Sequence, residues 1–396
     1  MHTPLNLRHL QAALAVQQQG SISRAKETVH LSQSAITQGI SKLEKDLGFR
    51  LFDRSYEGLN STKEGEIYLR RVAQSFNYLR QIDKFLPPTK HAKNTPIYRS
   101  LTSTQIRALM HVVEQRSYTR AARRLQLAQP SVYRAVQDVE AVFGYKFFNK
   151  SPSGLEPSWS VKEIARHIAL FFAELSQAFD EVNEHKGQMA GRLRIGSLPL
   201  ARTRTVPRAV VKITRDFPDV QVSIIDGPYE EQLHALLHGR LDLIVGALRE
   251  PAPSPDIVQK ILFEDVLHVV MRPGHPLGKR RKLSALELQN LDWVAPRQDT
   301  PAREAFTELF RSNGLAPPEH VIECSSLVAT RGILMESDRA ALLSARQVEV
   351  DLDSGLLSIN PHHLRGTTRN IGITLRKGWE PTRVQQRFMD RLKEES

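Results

Sequence analysis

Ser34, Thr37, Gln38, Ser41 and Lys42 recur at helical spacing, which places them along one face of a helix. Their side chains are short, or end in an amide or an ammonium. Such groups exchange hydrogen bonds with a polar surface, and none is set up to break a bond. Ninety-six positions further on, Pro130, Ser131, Tyr133, Arg134 and Gln137 occupy the same kind of face. Bond-making chemistry has no foothold elsewhere: the chain carries no GxSxG, phosphate loop, HExxH or paired cysteines. His362 and His363 have no Cys or acidic neighbour in sequence and read as a loop pair. The single cysteine, Cys324, excludes an internal disulfide or thiolate cluster and reads as packing. The run KRRK at 279–282 reads as a solvated loop, with phosphate contact left open. No metal, no cofactor and no reaction is expected.

The elements that must hold those two faces are themselves repeated. SISRAKETVHLSQSAITQGISKLEKDLG, from Ser21, aligns without a gap on SYTRAARRLQLAQPSVYRAVQDVEAVFG, from Ser117. Ile36, Ile40, Leu43 and Leu47 step by four, three and four, the spacing of one buried helix face, and Val132, Val136, Val139 and Phe143 answer them. Gly48 and Gly144 end the two helices. A shorter helix precedes each, capped by Ser21 or Ser23 and by Ser117 or Thr119, with Ala25 and Ala121 small enough to let two helices cross. Ser32 caps the second helix of the first copy. Apolar-basic runs, FRLFDR and YKFFNK, then lead to Gly58-Leu59 and Gly154-Leu155, the turn of a small β-wing. Short helix, tight turn, second helix and wing describe a winged helix-turn-helix, whose second helix presents polar side chains to base edges and phosphates. Arg50, Arg54 and Lys63, then Lys146 and Lys150, would meet backbone phosphates.

Charge agrees with a polyanion partner for this half. The net charge is +12; residues 1–190 hold 26 Lys and Arg against 17 Asp and Glu, and residues 191–396 hold 29 against 26. No apolar run is long enough to span a membrane. The first twenty residues lack the apolar core of a secretory signal, so a cytoplasmic protein is expected.

GSISRAKETVHLSQSAITQGISKLEKDLGFRLFDR, followed by STKEG, resembles the N-terminal domain of LysR-type transcriptional regulators over roughly residues 5–65. The likeness rests on Ser32-Gln33, Leu43-Glu44, Leu47-Gly48 and Leu-Phe-Asp-Arg. It implies that Ser34, Ala35, Thr37, Gln38 and Lys42 face the major groove of double-stranded DNA. Residues 101–159 match again, a departure from a family that ordinarily carries one such domain per chain. Gln129-Pro130 and Arg134 keep the family pattern. Ala128 replaces the capping Ser, Asp138 stands where the first copy has Lys42, and Tyr133 is bulkier than usual, so the second head either reads DNA with other preferences or has drifted toward packing on the first.

These readings divide the chain into a first winged domain at 1–62, a linker helix at 63–86, a tether at 87–100 free to let the heads move, a second winged domain at 101–159 and a long apolar-striped helix at 160–188. The resemblance implies that this last helix pairs antiparallel between two subunits, giving a homodimer or a dimer of dimers. From residue 191 strands and helices alternate, which argues for a parallel sheet covered on both faces. HGRLDLIVGAL, LHVVMRPGHPLG and LSALELQNLDWV resemble the LysR effector domain, a two-lobed α/β fold of the type-2 periplasmic-binding-protein kind. Lobe I is placed at 191–269 with 371–396 and lobe II at 270–370, with crossings near 269–272 and 369–372. Ligands of such sheets sit at the carboxyl ends of strands, here Ser197, Leu198, Pro199, Gly246 and Ala247 in one lobe and Arg297, Gln298, Asp299, Thr300, Pro301, Ser325 and Ser326 in the other. SSLVATRGILMESDRAALLSARQVEVDL and TRNIGITLRKGWEPT resemble the branch that regulates sugar-binding-protein genes and protocatechuate breakdown, implying a sugar or aromatic-acid effector. A regulator of this kind also meets RNA polymerase if it activates. The residues leave two other readings open: an architectural DNA-binding protein without effector, and a solute-binding module with an oligomerising N-terminal half.

Overall fold

The computed structural model describes residues 6–55, 58–87, 95–152, 154–188 and 190–395, and the chain divides into two compact units, Met1–Gly191 and Arg192–Ser396. The first unit is a repeat. Helices α1 (Leu7–Gln19), α2 (Ile22–Val29) and α3 (Gln33–Leu47), strands β1 (Phe52–Ser55) and β2 (Gly58–Ser61), and helix α4 (Lys63–Gln81) make the first copy. Helices α5 (Ser103–Gln115), α6 (Tyr118–Leu125) and α7 (Gln129–Phe143), strands β3 (Phe148–Ser151) and β4 (Gly154–Pro157), and helix α8 (Trp159–His185) make the second. Every element of the second copy begins 96 residues after its mate.

Local chemistry accounts for the boundaries. Ser32 Oγ accepts the amide of Ala35 and starts α3; Ala128 starts α7 with no side-chain bond. Gly48 and Gly144 end these helices in the left-handed region, at φ 77° and 86°. Copy one ends α1 with Gly20 in that region, whereas copy two ends α5 with Arg116, at φ 48°. Ala25 and Ala121 are wholly buried at the helix crossings. The Glu of each Leu-Glu or Val-Glu pair closes the wing. Glu44 Oε1 accepts the amides of Leu51 and Phe52 at 2.7 and 3.2 Å, and Glu140 Oε1 accepts that of Phe147 at 2.8 Å.

The two heads share one core. The stripe of α8 expected to wait for a second subunit is covered by α4 of its own chain: Ile164, Ile168, Phe171, Leu175 and Val182 are buried in the cluster that holds Leu69, Val72, Phe76 and Leu79. The helices run antiparallel, since Arg70 meets Glu181 while Phe85 meets Trp159. Phe76 packs on Phe171 near the middle, with ring centroids 5.6 Å apart. Leu7 N donates to Ser103 Oγ, a bond between residues 96 apart, as a pseudo-twofold axis relating the copies requires. Periodicity identifies the stripe but not its cover, because the apolar face of α4 could equally serve its own head. The tether differs too. Residues 88–94 lie outside the described residues, but Ile97 and Tyr98 are buried in a 3-10 turn, with Tyr98 against Phe76 at 5.3 Å.

Buried within this helix pair is Arg71, whose side chain is 1% exposed and which reaches Glu174 at 2.6 Å and Glu181 at 2.8 Å. Burial works against its charge, but the two carboxylates outweigh that and raise its pKa.

The second unit contains β5 (Arg192–Ser197), α9 (Pro199–Thr203), α10 (Thr205–Asp216), β6 (Gln221–Ile225), α11 (Tyr229–Leu237), β7 (Leu243–Ala247), β8 (Ile257–Met271), α12 (Ala285–Gln289), β9 (Trp293–Ala295), α13 (Pro301–Arg311), β10 (Val321–Glu323), α14 (Leu327–Met335), β11 (Ala340–Ser344), α15 (Glu349–Asp353), β12 (Ser358–Ile359), β13 (Thr368–Arg376) and α16 (Arg383–Glu394). The strands follow the order β10-β9-β11-β8-β13-β7-β5-β6, with β12 beside β8. β5, β6 and β7 are parallel, as are β9, β10 and β11; β13 runs antiparallel to both β7 and β8, and β8 runs antiparallel to β11. One lobe's core holds Ile195, Val206, Val245 and Phe388, and the other's holds Trp293, Phe306, Phe310 and Leu342. β8 changes partner, from β13 through Val266 to β11 from Leu267. The crossings therefore fall a few residues before the expected 269–272 and 369–372. The Pro-Gly turn at 273–274 follows the end of β8 at Met271.

Two measurements test this account. Replacing Arg71 by Met strands Glu174 and Glu181, and should cost about 3 kcal/mol of stability in the first unit, read by denaturant melting. Ala128→Ser restores a missing cap and should add about 1 kcal/mol in the same assay.

Candidate nucleic-acid interface and effector cleft

On each second helix the packed and free faces separate cleanly. Ile36, Ile40, Leu43 and Leu47 are buried, while Gln33, Ser34, Ala35, Gln38, Ser41 and Lys42 are exposed or half-buried, as is Thr37. Thr37 Oγ1 donates back to the Gln33 carbonyl at 2.9 Å, and Ser32 Oγ, the cap, also lies 3.0 Å from Ser34 Oγ. In the second copy Val132, Val136, Val139 and Phe143 are buried, and Gln129, Pro130, Ser131, Tyr133 and Arg134 are exposed. Tyr133 stacks edge-on against Tyr118 at 5.2 Å, so part of its ring is committed to the fold. Burial pushes the Tyr118 hydroxyl up to about 12, ahead of the effects of Glu140 and Tyr133.

Gln137 and Lys146 are joined through Glu140, and Lys146 remains exposed. Lys146 Nζ sits 2.9 Å from both Glu140 Oε2 and Gln137 Oε1, and Gln137 Nε2 donates to Glu140 at 2.7 Å. Lys150 is exposed, as is Arg50, which lies 3.9 Å from Asp53. Lys63 pairs with Glu66 at 2.8 Å. Arg54 lies in β1, and its side chain is outside the described residues. Asp138, at the Lys42 position, accepts from Gln105 at 3.2 Å.

Sequence reading misses Arg123 and Arg124. Both are exposed on α6, where copy one has Glu27 and Thr28. The run RAARR, 120–124, is the signal that could have found them. The second head thus carries more positive charge on the helix before the reading helix than the first, whose α2 has Arg24 and Lys26 beside Glu27. His9 packs under Gly39 of α3, where an added Cβ would come within 3.0 Å of its ring. Burial first, then Lys42, lowers its pKa.

Between the lobes of the second unit lies a cavity of about 800 Å³. It brings together Leu198, Pro199, Ala247, Arg297, Gln298, Asp299, Thr300, Pro301, Ser325 and Ser326, as well as Cys324, which lies on the wall. Ser197 and Gly246 stand behind that wall. Ser197 is fully buried, and its Oγ has no protein partner among the described residues. Gly246, at φ 154°, leaves room for Leu198, whose Cβ an added methyl would approach to 2.4 Å. Helices α13 and α14 begin at the cavity wall, capped by Thr300 and Ser326, so the positive ends of both helices lie beside it.

Cations that no motif singles out complete the lining. Arg202 pairs with Asp226 at 3.4 Å, Arg331 with Asp351 at 2.7 Å and Arg369 with Asp265 at 3.0 Å. Arg249 lies over the Tyr229 ring at 4.5 Å, and among the described residues neither it nor Arg297 has a carboxylate within ion-pair distance. Asp265 also accepts from Ser344 Oγ, so one carboxylate joins β8, β11 and β13 where the lobes meet. Arg204 pairs with Glu349. Among the described residues no cluster could hold a metal ion, and no helix is long and apolar enough to cross a membrane.

Comparison with known families places each half. The model described as "Bacterial regulatory helix-turn-helix protein, lysR family" matches twice, at residues 7–66 and 103–159, and "LysR substrate binding domain" matches 186–396. The chain belongs to the LysR family of transcriptional regulators. The HTH-type transcriptional regulator GalR of Pseudomonas putida is 31% identical over 94% of this chain and 93% of its own length. PcaQ of Agrobacterium fabrum is 26% identical over 93% of itself but only 73% of this chain. Among solved structures, a full-length OxyR variant from Pseudomonas aeruginosa aligns over 74% of this chain and 95% of its own, with a TM-score of 0.56 and 21% identity. CbnR, a LysR family transcriptional regulator, aligns over 74% and 98%, with a TM-score of 0.50 and 17% identity. As a LysR-type regulator the chain binds DNA sequence-specifically and carries an effector-binding domain, and the family is not catalytic.

The wall of the cleft offers a direct check. Gly246→Ala should drive Leu198 into the cavity at a cost of about 2 kcal/mol, seen as a lower melting temperature of the second unit.

Proposed function

We propose that this LysR-type regulator reads DNA through the exposed faces that begin at Gln33 and Gln129, and that an aromatic acid in the cleft of the second unit switches that reading. One observation carries the DNA assignment: the reading helices do their apolar packing through one face and leave the other, polar face unused. Ser34, Ala35, Gln38, Ser41 and Lys42, with Pro130, Ser131, Tyr133 and Arg134, are assigned to base edges. Arg50, Lys150, Arg123 and Arg124 are assigned to phosphates. Gln137, half-buried, and Lys146, exposed, are assigned to the same surface while bonded to Glu140.

The effector assignment is supported by the cavity lining. Arg249 and Arg297 lack carboxylate partners among the described residues, two helix starts add positive potential, and Leu198, Tyr229, Val294 and Leu343 supply apolar wall. A carboxylate on a flat apolar ring fits that combination; a neutral sugar uses less of it. Binding shifts the relative population of cleft states by no more than its difference in affinity for them. Two chains, as a homodimer or a dimer of dimers, would bring further heads to the same DNA, and RNA polymerase is a partner if the protein activates.

Gel-shift titration across salt, with and without effectors, tests the reading. Affinity for the chain's own upstream DNA should fall linearly in log-log form as salt rises. Aromatic carboxylates should raise the melting temperature of the protein and change the shift, and Arg249→Ala should abolish both responses while leaving ligand-free DNA affinity in place. Salt-independent binding would remove the DNA assignment; a response to sugars alone would replace the aromatic acid.

A further inference from the structure

We propose that one chain is by itself a complete two-headed DNA reader, and that its target is an asymmetric duplex whose two half-sites differ in base chemistry. The inference rests on the DNA-reading assignment above and goes beyond it in stoichiometry and in the form of the target.

α4 and α8 pack antiparallel within the chain, and Leu7 bonds Ser103 across the repeat, so the heads are related by a pseudo-twofold axis. A twofold relation is what a duplex offers to two half-sites, and identical heads on such an axis select a palindrome. These heads are not identical. Gln38 and Arg134 hold equivalent places on α3 and α7, and both reach solvent. An amide there pairs with adenine through its N6 and N7, whereas a guanidinium pairs with guanine through O6 and N7. The base pair facing this position should therefore be A·T in one half and G·C in the other. Nearby, Thr37 is answered by Tyr133, whose ring edge suits a thymine methyl, and Ser34 by Pro130, which cannot donate a hydrogen bond.

Charge is distributed to match. Copy one places Lys42 on the reading helix; copy two has Asp138 there and carries cations at Arg123 and Arg124 on α6. α2 of copy one offers Arg24 and Lys26 and α6 of copy two offers Arg120, Arg123 and Arg124, so the second head shifts cationic charge toward the helix before the reading helix and brings none to the Lys42 position. An element that had only drifted into packing would have buried this surface. Instead Pro130, Ser131, Arg134, Arg123 and Arg124 remain accessible.

Selection of bound sequences from random duplexes, run with the full chain, tests this. The expected motif has two unlike arms, with the fitting base pair at the Gln38 and Arg134 positions preferred roughly ten- to hundredfold over its mismatch. Arg134→Gln should convert that pair to A·T in one arm only, and Gln38→Arg should convert the other arm to G·C. Both substitutions fall on solvent-facing positions, so unchanged melting temperatures confirm that the variants fold. Stoichiometric titration should give one chain per two-armed motif. A palindromic motif, or one that ignores Arg134→Gln, would overturn the inference while leaving DNA reading intact. No sequence enrichment and no salt dependence would overturn the DNA assignment as well.

Discussion

The first unit depends on the burial of Arg71 between α4 and α8. An ion pair removed from water contributes little net stability, because desolvation consumes most of its Coulomb energy, but it penalises every arrangement that leaves one partner alone. The repeat makes those arrangements explicit. The residues equivalent to Glu174 and Glu181 in the first copy are Tyr78 and Phe85, and the residue equivalent to Arg71 in the second is His167. Pairing α4 with another α4 would set a buried guanidinium against two aromatic rings. Pairing α8 with another α8 would set two carboxylates against an imidazole, on both sides of the axis. Only α4 on α8 gives Arg71 its carboxylates at 2.6 and 2.8 Å. On the opposite side of the axis the equivalent place is filled by His167 against the Phe85 ring, 6.4 Å between centroids. The fold thus encodes a heterologous pair with the outline of a symmetric one.

A comparable concentration of constraint occurs in the second unit, at Asp265. This buried carboxylate holds Arg369 and Ser344 on neighbouring strands where β8 passes from one lobe's sheet to the other. Arg369 is also part of the cavity wall. The hinge and the ligand site therefore share a charged group, and burial lowers the pKa of Arg369 despite the attraction of Asp265. A molecule that draws on Arg369 changes the electrostatics of the strand that joins the lobes.

The winged repeat is legible in the sequence because its signals are local: a periodic apolar face, a cap, a crossing Ala and a Gly stop recur at a fixed interval. The effector lobes are legible through alternating strand and helix patterns. Pairing between distant elements is not. Ile164, Phe171 and Val182 announce a buried face, but nothing in their spacing says whether α4 or another chain covers it. Arg249 carries no local signal because its role comes from the Tyr229 ring beneath it, on a different element. Lys146 is legible as a basic residue near the wing, but its ion pair with Glu140, on the preceding helix, leaves no local signal. Ser197 sits at the expected strand end, but its hydroxyl turns inward.

Covalent joining of the two copies has a consequence for dilution. Helices that pair between separate subunits come apart when the protein is scarce, and the fraction assembled rises with abundance. Here the two copies follow one another in a single chain, so each sees the other at an effective concentration on the order of millimolar. The paired heads persist in a cell that holds only a few copies, and their assembly does not report how much of the regulator has been made.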